Sequence, residues 1–163
     1  MKLSSLLLSL AVLSLALAGS ASAGSRPLET GFLDDVYLRS NPESGAKWLA
    51  KARGAGASFV RINVYWNQIA PVERSLGFEP ANPADQAYRW AALDQAVRSS
   101  ASNGMEPILT VMSAPIWAEG PERDPNARPG TWKPDANEFA LFGKAIAKRY
   151  GGTFPDPLHS GRV

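Results

Sequence analysis

The stretch Ser58–Tyr65 (SFVRINVY) decides the fold. Its β-branched and aromatic residues predict a strand. Side chains alternate along a strand, so Val60, Ile62 and Val64 point one way while Phe59, Arg61 and Asn63 point the other. Immediately upstream, Asn41-Pro42-Glu43 reads as an N-cap, a proline at the first helical position and an acid in the first turn. Ala46, Trp48, Leu49 and Ala52 then fall on one helical face, and Gly54 and Gly56 offer the left-handed residue that ends a helix. The order helix, glycine, strand recurs downstream. Trp90, Leu93, Ala96, Val97 and Ala101 form a helical stripe that stops at Asn103-Gly104 and feeds the run Glu106–Met112 (EPILTVM). A third helix opens at Asp135, with Glu138 placed for a capping box, carries Phe139, Phe142, Ile146 and Tyr150, and stops at Gly151-Gly152. With the apolar run Gly31–Leu38 (GFLDDVYL) as a preceding strand, the pattern predicts parallel βαβ units and an α/β fold.

Three parallel strands leave an open sheet edge. Where the rhythm calls for a fourth strand, residues Phe154–Val163 (FPDPLHSGRV) are rich in Pro, Gly and polar side chains instead. The expectation is therefore the N-terminal part of a larger domain; the alternative is a small complete α/β domain with a tail.

At the other end, Lys2 precedes an apolar run from Leu6 to Ala18 that is shorter than the ~20 residues a membrane span needs. Small residues follow at Ala21-Ser22-Ala23, so residues 1–23 read as a signal peptide, with Gly24 opening the mature chain. The expected location is secreted, extracellular or periplasmic, without membrane attachment after cleavage; an uncleaved N-terminal helix is the alternative. Removing Lys2 lowers the formal charge from +2 to +1, and no basic stripe suggests a nucleic-acid partner. The chain has no cysteine, so an exported form relies on apolar burial rather than disulfides.

An arginine in a central strand is the chief chemical anomaly. A buried, unpaired guanidinium costs several kcal/mol, so Arg61 predicts a carboxylate nearby: Asp34, Asp35, or a group beyond Val163. A purely structural Arg–Asp pair fits the same observation. Trp66 and Trp117 each follow one of the two best strands, where parallel α/β folds bind ligands. Their flat faces suit sugar rings, and packing is the plainer explanation. Other chemistries find little support. There is no G-x-G-x-x-G, P-loop or H-E-x-x-H, His159 has no partner at metal spacing, and Ser113 lacks nucleophile-elbow glycines. No cofactor or metal is expected.

Two segments, GASFVRINVYWNQIAP (Gly56–Pro71) and YRWAALDQAVRSSASNGMEPILTVMSAPIWA (Tyr88–Ala118), together resemble the second and third β/α units of clan A glycoside hydrolases, most closely the cellulase-like family. The resemblance extends over Gly31–Gly152 and rests on Arg61, Trp66, Leu93-Asp94 and Gly104 with their spacing. It implies a (β/α)₈ TIM barrel, of which residues 24–163 would supply the first three units. It also implies a retaining mechanism with two glutamates ~5–5.5 Å apart. In that family these glutamates end the fourth and seventh strands, neither of which falls within this chain, and the second-strand Arg, here Arg61, pairs with the nucleophile. One departure is the absence of a His near the end of the third strand, where Thr110, Met112 and Ser113 stand; clan members acting on β-galactosides or β-xylosides therefore stay open. The resulting expectation is a secreted glycoside hydrolase of poly- or oligosaccharides, present as an inactive N-terminal fragment whose Arg61, Asn63, Trp66 and Trp117 line a sugar cleft. A small exported, non-catalytic carbohydrate-binding protein is the alternative.

Overall fold

The structure, a computed structural model, describes residues 28–33, 41–157 and 161. The expected signal peptide, Asp34, Asp35 and His159 lie outside the described residues. In chain order the elements are β1 (Gly31–Leu33), α1 (Pro42–Gly54), β2 (Phe59–Tyr65), the single turn α2 (Trp66–Ile69), α3 (Ala91–Ser102), β3 (Glu106–Met112), a 3-10 turn (Ile116–Ala118) and α4 (Ala136–Tyr150). The strands form one parallel sheet in the order β1-β2-β3. Arg61 stands beside Leu33 on one side and Ile108 on the other, and Asn63 beside Thr110. The mixed α/β class and the repeated β/α units match the sequence pattern.

Local chemistry accounts for the boundaries. The Asn41 side chain accepts the Ser44 N–H at 3.1 Å and Pro42 opens α1, as its sequence predicts. Gly56 and Gly104, both at positive φ, turn the chain from helix into strand. Asp135 caps α4 by accepting from the N–H groups of Asn137 and Glu138. Only half of the expected capping box forms: the Asp135 N–H donates to the Ala118 carbonyl, and the Glu138 carboxylate pairs with Arg74 instead.

The long helices gather on one face of the sheet. Val60, Ile62 and Val64, at 1, 0 and 1 % exposure, bury that face. There α3 packs against β2, β3 and α1, while Leu49 is the residue of the α1 stripe that reaches the core. Trp48 from the same expected stripe is exposed, with the Lys51 ammonium 4.4 Å from its ring centroid. Of the expected α3 stripe Ala101 is exposed; Ser100 is buried in the core instead and returns its hydroxyl to the Ala96 carbonyl at 2.8 Å.

Helix α4 is fastened to α3 by aromatic stacking and by charge. Phe142 lies nearly parallel to both Trp66 (4.8 Å, 7°) and Trp90 (6.0 Å, 4°). Alongside, Arg149 forks onto Asp94, with Nε to Oδ1 at 2.7 Å and Nη2 to Oδ2 at 2.6 Å. The Tyr150 hydroxyl donates to the same carboxylate at 2.8 Å. Burial, together with the Asp94 charge, pushes the Tyr150 hydroxyl well above its usual range.

Candidate functional site

Ligands of parallel α/β sheets bind beyond the C-terminal strand ends, and three structures meet there: α2, the loop after β3, and the first turn of α3. The chain turns into α2 directly after β2, so Trp66 is carried inward. It is 1 % exposed, with its ring against Trp117 (6.0 Å, edge-on) and Phe139 as well as Phe142. Trp117 is partly buried, its Nε1 donating to the Pro71 carbonyl at 2.9 Å and its ring lying 5.6 Å from the Arg74 guanidinium. The expected sugar platform of Trp66 and Trp117 is corrected accordingly: the two rings pack on each other, and Trp66 offers no face to a ligand. An indole buries more apolar area than almost any side chain, and the aromatic core claims it.

Arg61 also departs from expectation. It is exposed on the face of the sheet away from the helices, and no hydrogen bond or ion pair among the described residues engages its guanidinium. The logic that a buried arginine needs a carboxylate holds, but for a different pair: Arg149 with Asp94. Asn63, by contrast, is buried at the end of the same strand and lines a cleft. Of the four expected residues, Arg61 and Asn63 share a strand face, Trp66 and Trp117 share the core, and Asn63 alone reaches the cleft.

The loop following β3 is a folded unit organised by one carboxylate. Glu119 is withdrawn from solvent and accepts from the Gly130 N–H at 2.7 Å, while its other oxygen pairs with Arg123. Arg123 also donates to the Ala127 carbonyl, and the loop is closed where the Gly120 N–H meets the Lys133 carbonyl at 2.7 Å. Burial alone would raise the Glu119 carboxyl, but the hydrogen bonds from Arg123, Gly130 and Trp132 and the Arg123 charge together hold it below the usual carboxylate range. The loop then returns over the strand ends. Gly130 approaches Ser113 and Asn67 so closely that a Cβ there would lie 3.1 and 3.2 Å from their side chains. Ser113 itself has φ 56, a left-handed conformation that its carbonyl's bond from the Asn67 N–H (2.9 Å) helps to hold. Glu119 is thus a structural acid rather than one free for proton transfer.

The cleft beside this loop has a volume of ≈ 290 Å³ and runs along the last residues of β2, past Gln68 and Ile69 of α2, to Arg89 and the first turn of α3. Its polar groups are Asn63, Tyr65, Gln68 and Arg89; its walls include Val64, Ile69 and Leu93. Gln68 and Arg89 were not foreseen from sequence, although Arg89 carries a signal. A cation just before a helix N-terminus opposes the helix dipole and calls for an explanation. Among the described residues no cluster of three or more His, Cys, Asp or Glu side chains could hold a metal, and no helix is long and apolar enough to cross a membrane. The sequence matches no protein-family model. It likewise matches no curated protein at a significant level.

Proposed function

We propose that this chain is the N-terminal, sugar-binding part of an exported glycoside hydrolase of the clan A type, acting on O-glycosidic bonds of poly- or oligosaccharides. The observation that carries this reading is the one-sided cover of a sheet whose strand order follows the sequence. Doubly wound sheets reverse their strand order and place helices on both faces. Here the order is β1-β2-β3, with the long helices on the Val60 side. Leu33 and Ile108, 54 and 45 % exposed, flank Arg61 on the other face. That is the face a barrel turns inward, and it supports a singly wound (β/α)₈ design.

Retaining hydrolysis needs two carboxyl groups ~5–5.5 Å apart at the ligand end of the strands. Among the described residues of the uncovered face the carboxylate is Glu106, which opens β3 at the opposite end, and Glu119 is committed to its loop. On this reading the catalytic pair lies outside residues 1–163, and the chain contributes the cleft. The test is to titrate the folded chain with oligosaccharides and to assay release of reducing ends. Binding without release is expected. Release by this chain alone would overturn the placement of the catalytic pair. Failure of a cooperatively folded chain to bind any saccharide in a broad panel would overturn the saccharide reading itself.

A further inference from the structure

We infer that the cleft at the end of β2 is a carboxylate subsite, built to take the acidic ring of a uronate-bearing saccharide; this rests on the saccharide reading above and narrows it. Arg89 supplies the charge. Both its backbone and its side chain are clipped to the end of α2: its N–H donates to the Ile69 carbonyl at 2.8 Å, and Nη2 donates to the Ala70 carbonyl at 3.2 Å. Neutral carbonyls hold the guanidinium in place without cancelling its charge. Among the described residues no carboxylate pairs with Arg89, and none lines the cleft.

The neighbouring wall adds to the positive potential. It is the first turn of α3, Ala91 to Leu93, and Trp90 at the N-cap provides no side-chain acceptor for its N–H groups. Asp94, the acid of that turn, would ordinarily offset the positive helix end. Its carboxylate is instead committed to Arg149 and Tyr150. A fixed cation beside an uncapped helix start is an electrostatic cost that a bound anion removes. Nη2 gives one N–H to the Ala70 carbonyl, and the remaining N–H donors of the fork match a planar carboxylate.

The remaining lining favours a sugar acid over a bare anion. Tyr65 and Gln68 bring a hydroxyl and an amide suited to ring hydroxyls, and Val64, Ile69, Ala92 and Leu93 form apolar walls for the C–H faces of a ring. A volume of ≈ 290 Å³ sits at the lower edge of the ~300–1,000 Å³ typical of small-molecule sites, which suits one ring rather than a run of them.

Calorimetric titration of the folded chain with an α-1,4-linked trigalacturonate and with the neutral galactose trimer of the same linkage tests the proposal. The acidic trimer should bind about tenfold more tightly or better, with an affinity that falls as salt is raised. Arg89→Gln should bring the two affinities together, and Arg89→Lys should keep part of the difference. Equal binding of both trimers to the wild-type chain, or a preference that survives in Arg89→Gln, overturns the carboxylate subsite and leaves the saccharide reading standing. If neither trimer binds while other neutral saccharides do, the subsite falls alone; if no saccharide binds, both fall.

Discussion

At the residue scale the buried pair Asp94–Arg149 is the most consequential contact in the molecule. A guanidinium 4 % exposed and a carboxylate 2 % exposed are tolerated because every strong valence is answered: the fork is bidentate, Tyr150 donates to one oxygen, and Arg149 Nη1 donates to the Pro83 carbonyl at 3.2 Å. Removing one partner strands the other charge. Asp94→Ala should cost about 3–5 kcal/mol in urea unfolding, whereas the double replacement Asp94→Leu with Arg149→Met should recover most of that loss. A double variant as unstable as the single one would mean that the pair holds α3 and α4 in register beyond its charge balance.

The loop of residues 119–134 shows how an element without helix or strand can still be rigid. Its single internal carboxylate answers two backbone N–H groups and an arginine, so its integrity depends on that group staying ionised. The folded pKa of Glu119 is lowered relative to its ordinary value of ~4.3. Its contribution to stability is therefore present above that ordinary value and lost as pH falls through the lower, folded one. Limited proteolysis between Pro121 and Pro129 should accelerate as pH is taken below the ordinary carboxylate range, and Glu119→Gln should show the faster cleavage already at pH 7. If Glu119→Gln is cut no faster than wild type at neutral pH, another contact orders the loop. The same loop, through Gly130 against Ser113 and Asn67, covers the strand ends beside the cleft, so its loosening should also weaken saccharide binding.

Across the whole molecule, the sheet is finished on one side and unfinished on the other. The helix-facing side is a closed aromatic and aliphatic core, while Leu33 and Ile108 stand exposed around Arg61 and β3 has no neighbour on its outer edge among the described residues. Parallel sheets are ordinarily covered on both faces, and a free edge with apolar neighbours promotes association. The chain by itself should self-associate with rising concentration in static light scattering. Ile108→Glu should suppress this, since it places a carboxylate directly across from Arg61 and adds a cross-strand ion pair of about 0.2–1 kcal/mol. Unchanged association in that variant would show that a different surface is responsible.

The sequence by itself determined the order of elements, the start of α1 at Asn41-Pro42, the exits at Gly56 and Gly104, the span of β3, and the alternation that sends Val60, Ile62 and Val64 into the core. Each of these rests on interactions within a few residues, or on a periodicity that any amphipathic element must obey. Tertiary structure alone decided which arginine is buried, that Trp66 belongs to the core, and that Arg89 faces a cleft with no carboxylate against it among the described residues. The partners concerned are far apart in the chain: Asp94 and Arg149 are separated by 55 positions, and Trp66, just after β2, stacks on Phe142 of α4, which follows β3. No local pattern distinguishes Arg61 from Arg149 as the one to be enclosed. That choice is made by which side of the sheet the helices cover.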